Sequence, residues 1–180
     1  RTGYQIIVNY DKTTANLLKE YVFNYHKLKN DKNFGNELSN GIVTDHNNAI
    51  TELKKLSGIK PDLIGFHGQT VFHNGLKKIS VQIGDGYLLS KMCKTNVISK
   101  FRQNDIKNGG EGAPISPIYH KLLMKKFDFD LPCCFVNIGG VSNITYWDGR
   151  TLIGFDLGPG NSLTDIYCQK NLGISFDYLG

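Results

Sequence analysis

Arginine is nearly absent from this sequence: Arg1, Arg102 and Arg150 stand alone, and the other 18 of its 21 basic residues are lysines. Nucleic-acid readers concentrate Arg and Lys on one stripe with aromatics between them. Here the densest basic clusters are the pairs Lys54-Lys55, Lys77-Lys78 and Lys125-Lys126, so a net charge of +5 reads as a solvated surface and not as a nucleic-acid footprint. Long apolar runs are missing too, none approaching the roughly 18 residues of a membrane helix, so no membrane partner is expected. Cysteine is scarce: Cys93, Cys133, Cys134 and Cys168 form no C-x-x-C, and the adjacent pair cannot easily bridge to itself. Neither a disulfide framework nor a zinc ribbon is indicated, and a reducing cytoplasm is the expected compartment. The sequence has no G-x-x-x-x-G-K-[ST] and no G-x-G-x-x-G after a strand, which removes support for P-loop and Rossmann readings. H-E-x-x-H and G-x-S-x-G are likewise missing.

What is present describes a soluble globular chain: 180 residues, 40% hydrophobic and 21% charged, long enough to bury roughly 70% of its unfolded surface. Arg1, not Met, opens it, and RTGYQIIVNY lacks a basic start followed by an apolar stretch, so a fragment without a signal peptide is expected. In TANLLKEYVFNYHKLK the residues Leu17, Leu18, Tyr21, Val22, Tyr25 and Leu28 recur at helical spacing, with Thr13 or Thr14 as N-cap. NAITELKKLSG predicts a second helix closed by Gly58, and QIIVNY a preceding strand. From Pro61 onward the pattern changes to short apolar strands broken by glycine and polar clusters, alternating with helical stretches at SPIYHKLLMKKF and SLTDIYCQKNLG. The expectation is one α/β domain over residues 1–180, with 1–60 as a helical flank and 61–180 as a motif-bearing core.

Chemistry is concentrated where strands end in glycine, because glycine lets a backbone approach a ligand and frees N–H groups for anions. In Gly65-Phe66-His67-Gly68-Gln69-Thr70, three polar side chains could meet sugar hydroxyls or an acetamido group, or the segment is a glycine turn beside a satisfied core histidine. His67 and His73 have no third ligand nearby, so no metal centre is assigned. The run Asn108-Gly109-Gly110-Glu111-Gly112-Ala113-Pro114 costs about 0.5–1 kcal/mol per glycine relative to alanine, so something must come close to that backbone. The strand Ile153-Gly154-Phe155-Asp156 delivers one carboxylate to a Gly158-Pro159-Gly160 turn, after which Asn161 or Ser162 caps a helix. That helix start offers N–H groups to a phosphate and Asp156 could serve as general base, or Asp156 simply holds the turn. Asn137-Ile138-Gly139-Gly140-Val141-Ser142-Asn143 is similar in form, bordering phosphates or making a hairpin turn.

Taken in order, IGFHGQTVFH, VQIGDG, FRQNDIKNGGEGAPISPIYH, VNIGGVSNIT and GFDLGPGNSLTD resemble the anhydro-N-acetylmuramic acid kinases, from about Asp62 to the C-terminus. Residues 1–60 match only in helical character. The resemblance implies an actin-like, ribonuclease H-like α/β lobe with a mixed sheet flanked by helices, incomplete here: part of a first lobe and the start of a second. It implies ATP and Mg²⁺ as cofactors and 1,6-anhydro-N-acetylmuramic acid as substrate, opened by water and phosphorylated on O6 during peptidoglycan recycling. Asp156 matches the base; His67, Gln69, Thr70, Val71, Arg102, Gly110 and Gly112 match the sugar-contacting part. Gly139, Gly140, Asn143, Gly158 and Asn161 match positions facing nucleotide phosphates. The family's opening M-S-G-T-S-x-D-G loop has no counterpart, Lys100 stands where the pattern carries an acid, and Gly180 falls midway along the family's length. The alternative is a catalytically inactive remnant that folds or binds sugar, and a homodimer or a complementing lobe would cover its open faces.

Overall fold

A computed structural model describes residues 3–178, and it divides into two compact units, Arg1–Gly112 and Ala113–Gly180. The division falls at the glycine-rich loop.

In the first unit α1 (Lys12–Phe23) starts at Asp11, whose Oδ1 accepts from Thr13 N at 2.8 Å, so the cap is Asp11 and not Thr13 or Thr14. Thr14 is instead buried against α3 (Lys32–Ser57), where a Cβ on Gly41 would sit 2.7 Å from its Oγ1. The short α2 (Tyr25–Leu28) continues the predicted first helix after a break at Asn24. Gly58 closes α3 with a left-handed backbone, φ +67°, as the sequence predicts. The helix begins sixteen residues before Asn48, however, because Phe34, Leu38 and Ile42 recur every fourth residue beneath a run of asparagines. Leu38, Ile42 and Val43 are fully buried with Tyr21, Phe66, Val71 and Leu89, so the helices of residues 1–60 form the core of this unit and do not flank it. QIIVNY forms no strand: no described strand pairs with it, and Ile7 is 91% exposed.

The strands that follow are short. β1 (Leu63–Phe66) pairs in parallel with β4 (Asn96–Ser99), while β2 (Gln69–Asn74) and β3 (Ile79–Ile83) form an antiparallel hairpin. Between β3 and β4 runs α4 (Gly86–Cys93), whose N-cap Asp85 accepts from Tyr87 N and Leu88 N. A short helix, α5 (Gln103–Lys107), leads into the glycine-rich loop.

In the second unit, α6 (Ser116–Lys126) packs on an antiparallel sheet of β5 (Cys133–Ile138), β6 (Val141–Trp147) and β7 (Leu152–Pro159). Register places Phe135, Thr145 and Gly154 in one row on the face that α6 covers. The Pro117 ring lies where a Cβ on Gly154 would be, and His120 stacks on Phe135 with its Nδ1 2.7 Å from Thr145 Oγ1. The neighbouring row on the other face, Val136, Ile144 and Phe155, is apolar, and Val136 and Phe155 are exposed. Trp147 is buried on the α6 face, with Lys121 and Lys125 over its ring and its Nε1–H without a protein partner. The chain ends in α7 (Ser162–Tyr167) and a π-helical turn, Cys168–Leu172. The whole is mixed α/β, helices on small sheets, consistent with the α/β class expected; no described helix is long and apolar enough to cross a membrane.

The β6–β7 turn carries a pH signature. Asp148 Oδ1 accepts from Arg150 N at 2.8 Å and Thr151 N at 2.6 Å, and these bonds hold its carboxyl below the ordinary 3.8. A depressed folded-state value contributes stability that is complete above the ordinary value and drains as pH falls through the folded one. Asp148→Asn is therefore expected to lower the thermal midpoint at neutral pH and to match the parent in strong acid. A penalty that stays constant down the acid limb would contradict this.

Candidate functional site

In the first unit the structure brings His67 and Arg102, 35 residues apart in sequence, into direct contact. Arg102 Nε–H donates to His67 Nε2 at 3.2 Å, which fixes the imidazole as the Nδ1–H tautomer, and that N–H faces Gly68 O at 3.3 Å. Arg102 also donates from Nη1 to Ser80 Oγ at 3.4 Å, and Gln82 Nε2 donates to both Ser80 Oγ (2.8 Å) and Thr70 Oγ1 (3.3 Å). Thr70, Ser80, Gln82, His67 and Arg102 thus form one hydrogen-bonded array spanning β2, β3 and the start of α5. It borders an open cavity of about 360 Å³, also lined by Ser99, Lys100, Gln103 and Lys107, within the size range of small-molecule sites.

The other expected sugar contacts lie differently. Gln69 Oε1 accepts from Tyr10 OH at 3.2 Å, a partner supplied by the irregular segment before α1. Burial and the nearby Asp45 carboxylate push the Tyr10 hydroxyl above its usual pKa of 10, so it stays a donor. Val71 points into the core and is only 6% exposed, so its side chain faces no ligand. Gly110 and Gly112 are approached by the chain's own Asp105: its carboxylate accepts from Gly112 N at 2.8 Å, and a Cβ on Gly110 would overlap it. Gly109 and Gly112 take positive φ. The glycine cost in this loop is met by a loop–carboxylate lock within the protein.

In the second unit, register aligns Asn137, Asn143 and Asp156 across β5, β6 and β7, two rows beyond Phe135, Thr145 and Gly154 and on the same face. A bulge between Ser142 and Asn143 restores this alignment after Leu157. Next to the row, two turns interlock. Asn161 N–H donates to Gly139 O at 2.7 Å, Gly160 N–H to Gly140 O at 2.9 Å, and Ser162 N–H to Gly140 O at 3.4 Å. These three N–H groups are therefore committed to the glycine turn. Asn161 does not cap α7 with its side chain, since its Nδ2–H donates to Ile138 O at 3.4 Å. Asp156 is exposed, and Gly158 takes φ +147°. Asn143 and Asp156, cross-strand partners in this register, both carry oxygen donors of the kind Mg²⁺ takes, one or two from protein beside water and substrate phosphates. Among the described residues no group of three His, Cys, Asp or Glu forms a metal cluster, and all four cysteines are free.

Gln82 and Gln103 fall inside the motifs VQIGDG and FRQNDIKNGGEGAPISPIYH without being singled out there, and Ser80 and Tyr10 lie in ordinary strand and coil with no glycine beside them. The alternation in ISVQI, which puts Ser80 and Gln82 on one side of a strand, is the one signal that could have found two of them.

Mixed α/β units with an exposed carboxylate on β7 beside paired glycine turns are what the structure presents, and comparison supplies the family. The family model for "Anhydro-N-acetylmuramic acid kinase" matches residues 12–180. Proteins named anhydro-N-acetylmuramic acid kinase are similar to it: that of Pelagibacter ubique is 46% identical over 148 residues, covering 81% of this chain and 40% of the relative. That of Nitrobacter winogradskyi is 44% identical over 140 residues (76% and 38%), and that of Bradyrhizobium diazoefficiens 38% identical over 178 residues (95% and 48%). The chain belongs to the anhydro-N-acetylmuramic acid kinase family. It spans 40% to 48% of the length of the first and last of these relatives. The match starts at Lys12, so the likeness extends about fifty residues upstream of the motifs that carry it by eye.

Proposed function

We propose that this chain is the sugar-binding and base-bearing part of an ATP-dependent kinase acting on 1,6-anhydro-N-acetylmuramic acid. Residues up to Gly112 are assigned to part of the first lobe and residues from Ala113 to the start of the second. In the proposed reaction Asp156 takes a proton from water, whose oxygen bonds to the anomeric carbon as the C1–O6 bond breaks. The freed O6 takes the γ-phosphoryl group, leaving ADP and the 6-phosphate of N-acetylmuramic acid. Mg²⁺, bound with the nucleotide, would neutralise charge developing on the phosphoryl oxygens.

His67, Arg102, Thr70 and Gln69 are assigned to the sugar, joined by Ser80 and Gln82; Gly110 and Gly112 shape the loop beside them. Asn143, Gly139, Gly140, Gly158 and Asn161 are assigned to the wall facing the phosphates, through backbone and side-chain groups other than the three N–H groups consumed between the turns. The observation that carries the reading is Asp156 aligned with Asn143 next to the interlocked Gly139–Gly140 and Gly160–Asn161 turns.

A ligand that binds only the folded state raises the melting midpoint. Millimolar 1,6-anhydro-N-acetylmuramic acid is expected to raise that of the isolated chain. A cooperative melt with no shift would overturn the sugar assignment, while a shift without turnover after completion of the chain would favour the inactive remnant.

A further inference from the structure

Tyr10 lies in the irregular segment before α1, outside every helix and strand, yet its side chain is held in place. The backbone beside it is tied to α3, since Asp11 N–H donates to Asp45 Oδ2 at 3.1 Å. Its ring lies 5.8 Å from that of His46, which meets Phe66 edge to face at 4.9 Å, and it packs against the buried core of the first unit. The Tyr10 hydroxyl, kept protonated by burial and by the Asp45 charge, reaches Gln69 Oε1 at 3.2 Å, 59 residues further along the chain.

Gln69 is fixed at its backbone and loose at its side chain. Gly68 before it takes φ +69° with the Ile83 carbonyl where a Cβ would stand, and Gln69 itself pairs with Ile83 at the start of β2. A glutamine side chain keeps three rotatable bonds and an amide that can present either its oxygen or its NH2 group, so holding one arrangement costs rotamer entropy. With Oε1 engaged by Tyr10, Nε2 is the end that remains, carrying two N–H donors and, among the described residues, no acceptor. We infer that Tyr10 is a positioning residue for Gln69: its hydroxyl holds the amide oxygen and so presents the NH2 group to an acceptor oxygen of a bound ligand. The inference rests on the sugar-site reading above, which assigns Gln69 to the sugar, and adds a residue that acts through Gln69 alone.

The test follows binding of 1,6-anhydro-N-acetylmuramic acid to the 180-residue chain by calorimetry, well below the melting midpoint of each variant. Tyr10→Phe keeps the ring and removes the hydroxyl. It is expected to weaken binding about fivefold, the worth of one hydrogen bond, while the midpoint falls by a few degrees at most. Gln69→Leu removes the amide and is expected to weaken binding at least as much. In the Gln69→Leu background Tyr10→Phe should cost no further affinity, because a residue that acts through another is silent once that other is gone. The same loss in both backgrounds would make Tyr10 a structural residue only and overturn the inference, as would unchanged binding by Tyr10→Phe; either result leaves the sugar site standing. Failure of the sugar to bind the parent chain would overturn the sugar-site reading and the inference with it.

Discussion

Asp156→Asn, in a protein in which this chain is completed with the segments its relatives have beyond it, is expected to lower kcat by about 10²–10⁴, the range for loss of a positioned general base. The substitution keeps the shape and one acceptor oxygen and removes only the ability to take a proton. Because Asp156 is exposed within β7, the thermal midpoint should hardly move. KM for the sugar should change little, since the lost interaction forms in the transition state. The alternative role, a carboxylate that merely holds the turn, predicts the reverse: a lower midpoint with turnover kept within tenfold. Steady-state kinetics and a melt of the same preparation decide between them.

Leu38→Ala is expected to give the largest loss of stability in the first unit. Leu38 is 0% exposed, on the face of α3 that packs with Tyr21, Ile42, Phe66, Val71 and Leu89. Truncating a leucine in such a place costs about 2–5 kcal/mol through lost burial and the cavity left behind. Domain stabilities are only about 5–15 kcal/mol, so denaturant midpoints should fall steeply. Ile7→Ala, at a 91% exposed position, is the matched control and should stay within about 0.5 kcal/mol. A Leu38→Ala penalty under about 1 kcal/mol would mean that α3 is not the centre of this core.

Periodicity exposed the first helix, the Gly58 stop and the glycine-broken strands β1, β2, β3, β5, β6 and β7, since each of these is a local pattern; β4 (Asn96–Ser99) has no such signal. The first half of α3 was hidden because asparagine and glycine between Lys32 and Asn48 are poor helix formers, and tertiary packing of Phe34, Leu38 and Ile42 overrides them. QIIVNY failed in the opposite direction: its pattern is that of a strand, but a strand needs a partner that local sequence cannot supply. The same limit applies to the candidate sites. Glycine clustering located the Gly110 loop and the Gly139 and Gly160 turns, yet it could not tell whether a ligand or the protein itself fills the space. At Gly110 the occupant is Asp105, and at Gly160 it is the carbonyls of Gly139 and Gly140. The direct meeting of His67 with Arg102, beside Ser80 and Gln82, is a product of hairpin register and of the β1–β4 pairing, neither of which is written at the residues concerned.

The single tryptophan gives the second unit its own optical label. Trp147 is buried beneath α6 on the sheet of that unit, and the first unit, with its many tyrosines, contributes none of the indole emission. Tryptophan fluorescence therefore follows the unfolding of Ala113–Gly180 alone, while the helices of α1 and α3 dominate the circular dichroism of Arg1–Gly112. Two transitions read in one titration would reveal whether the halves melt as one cooperative body or as two.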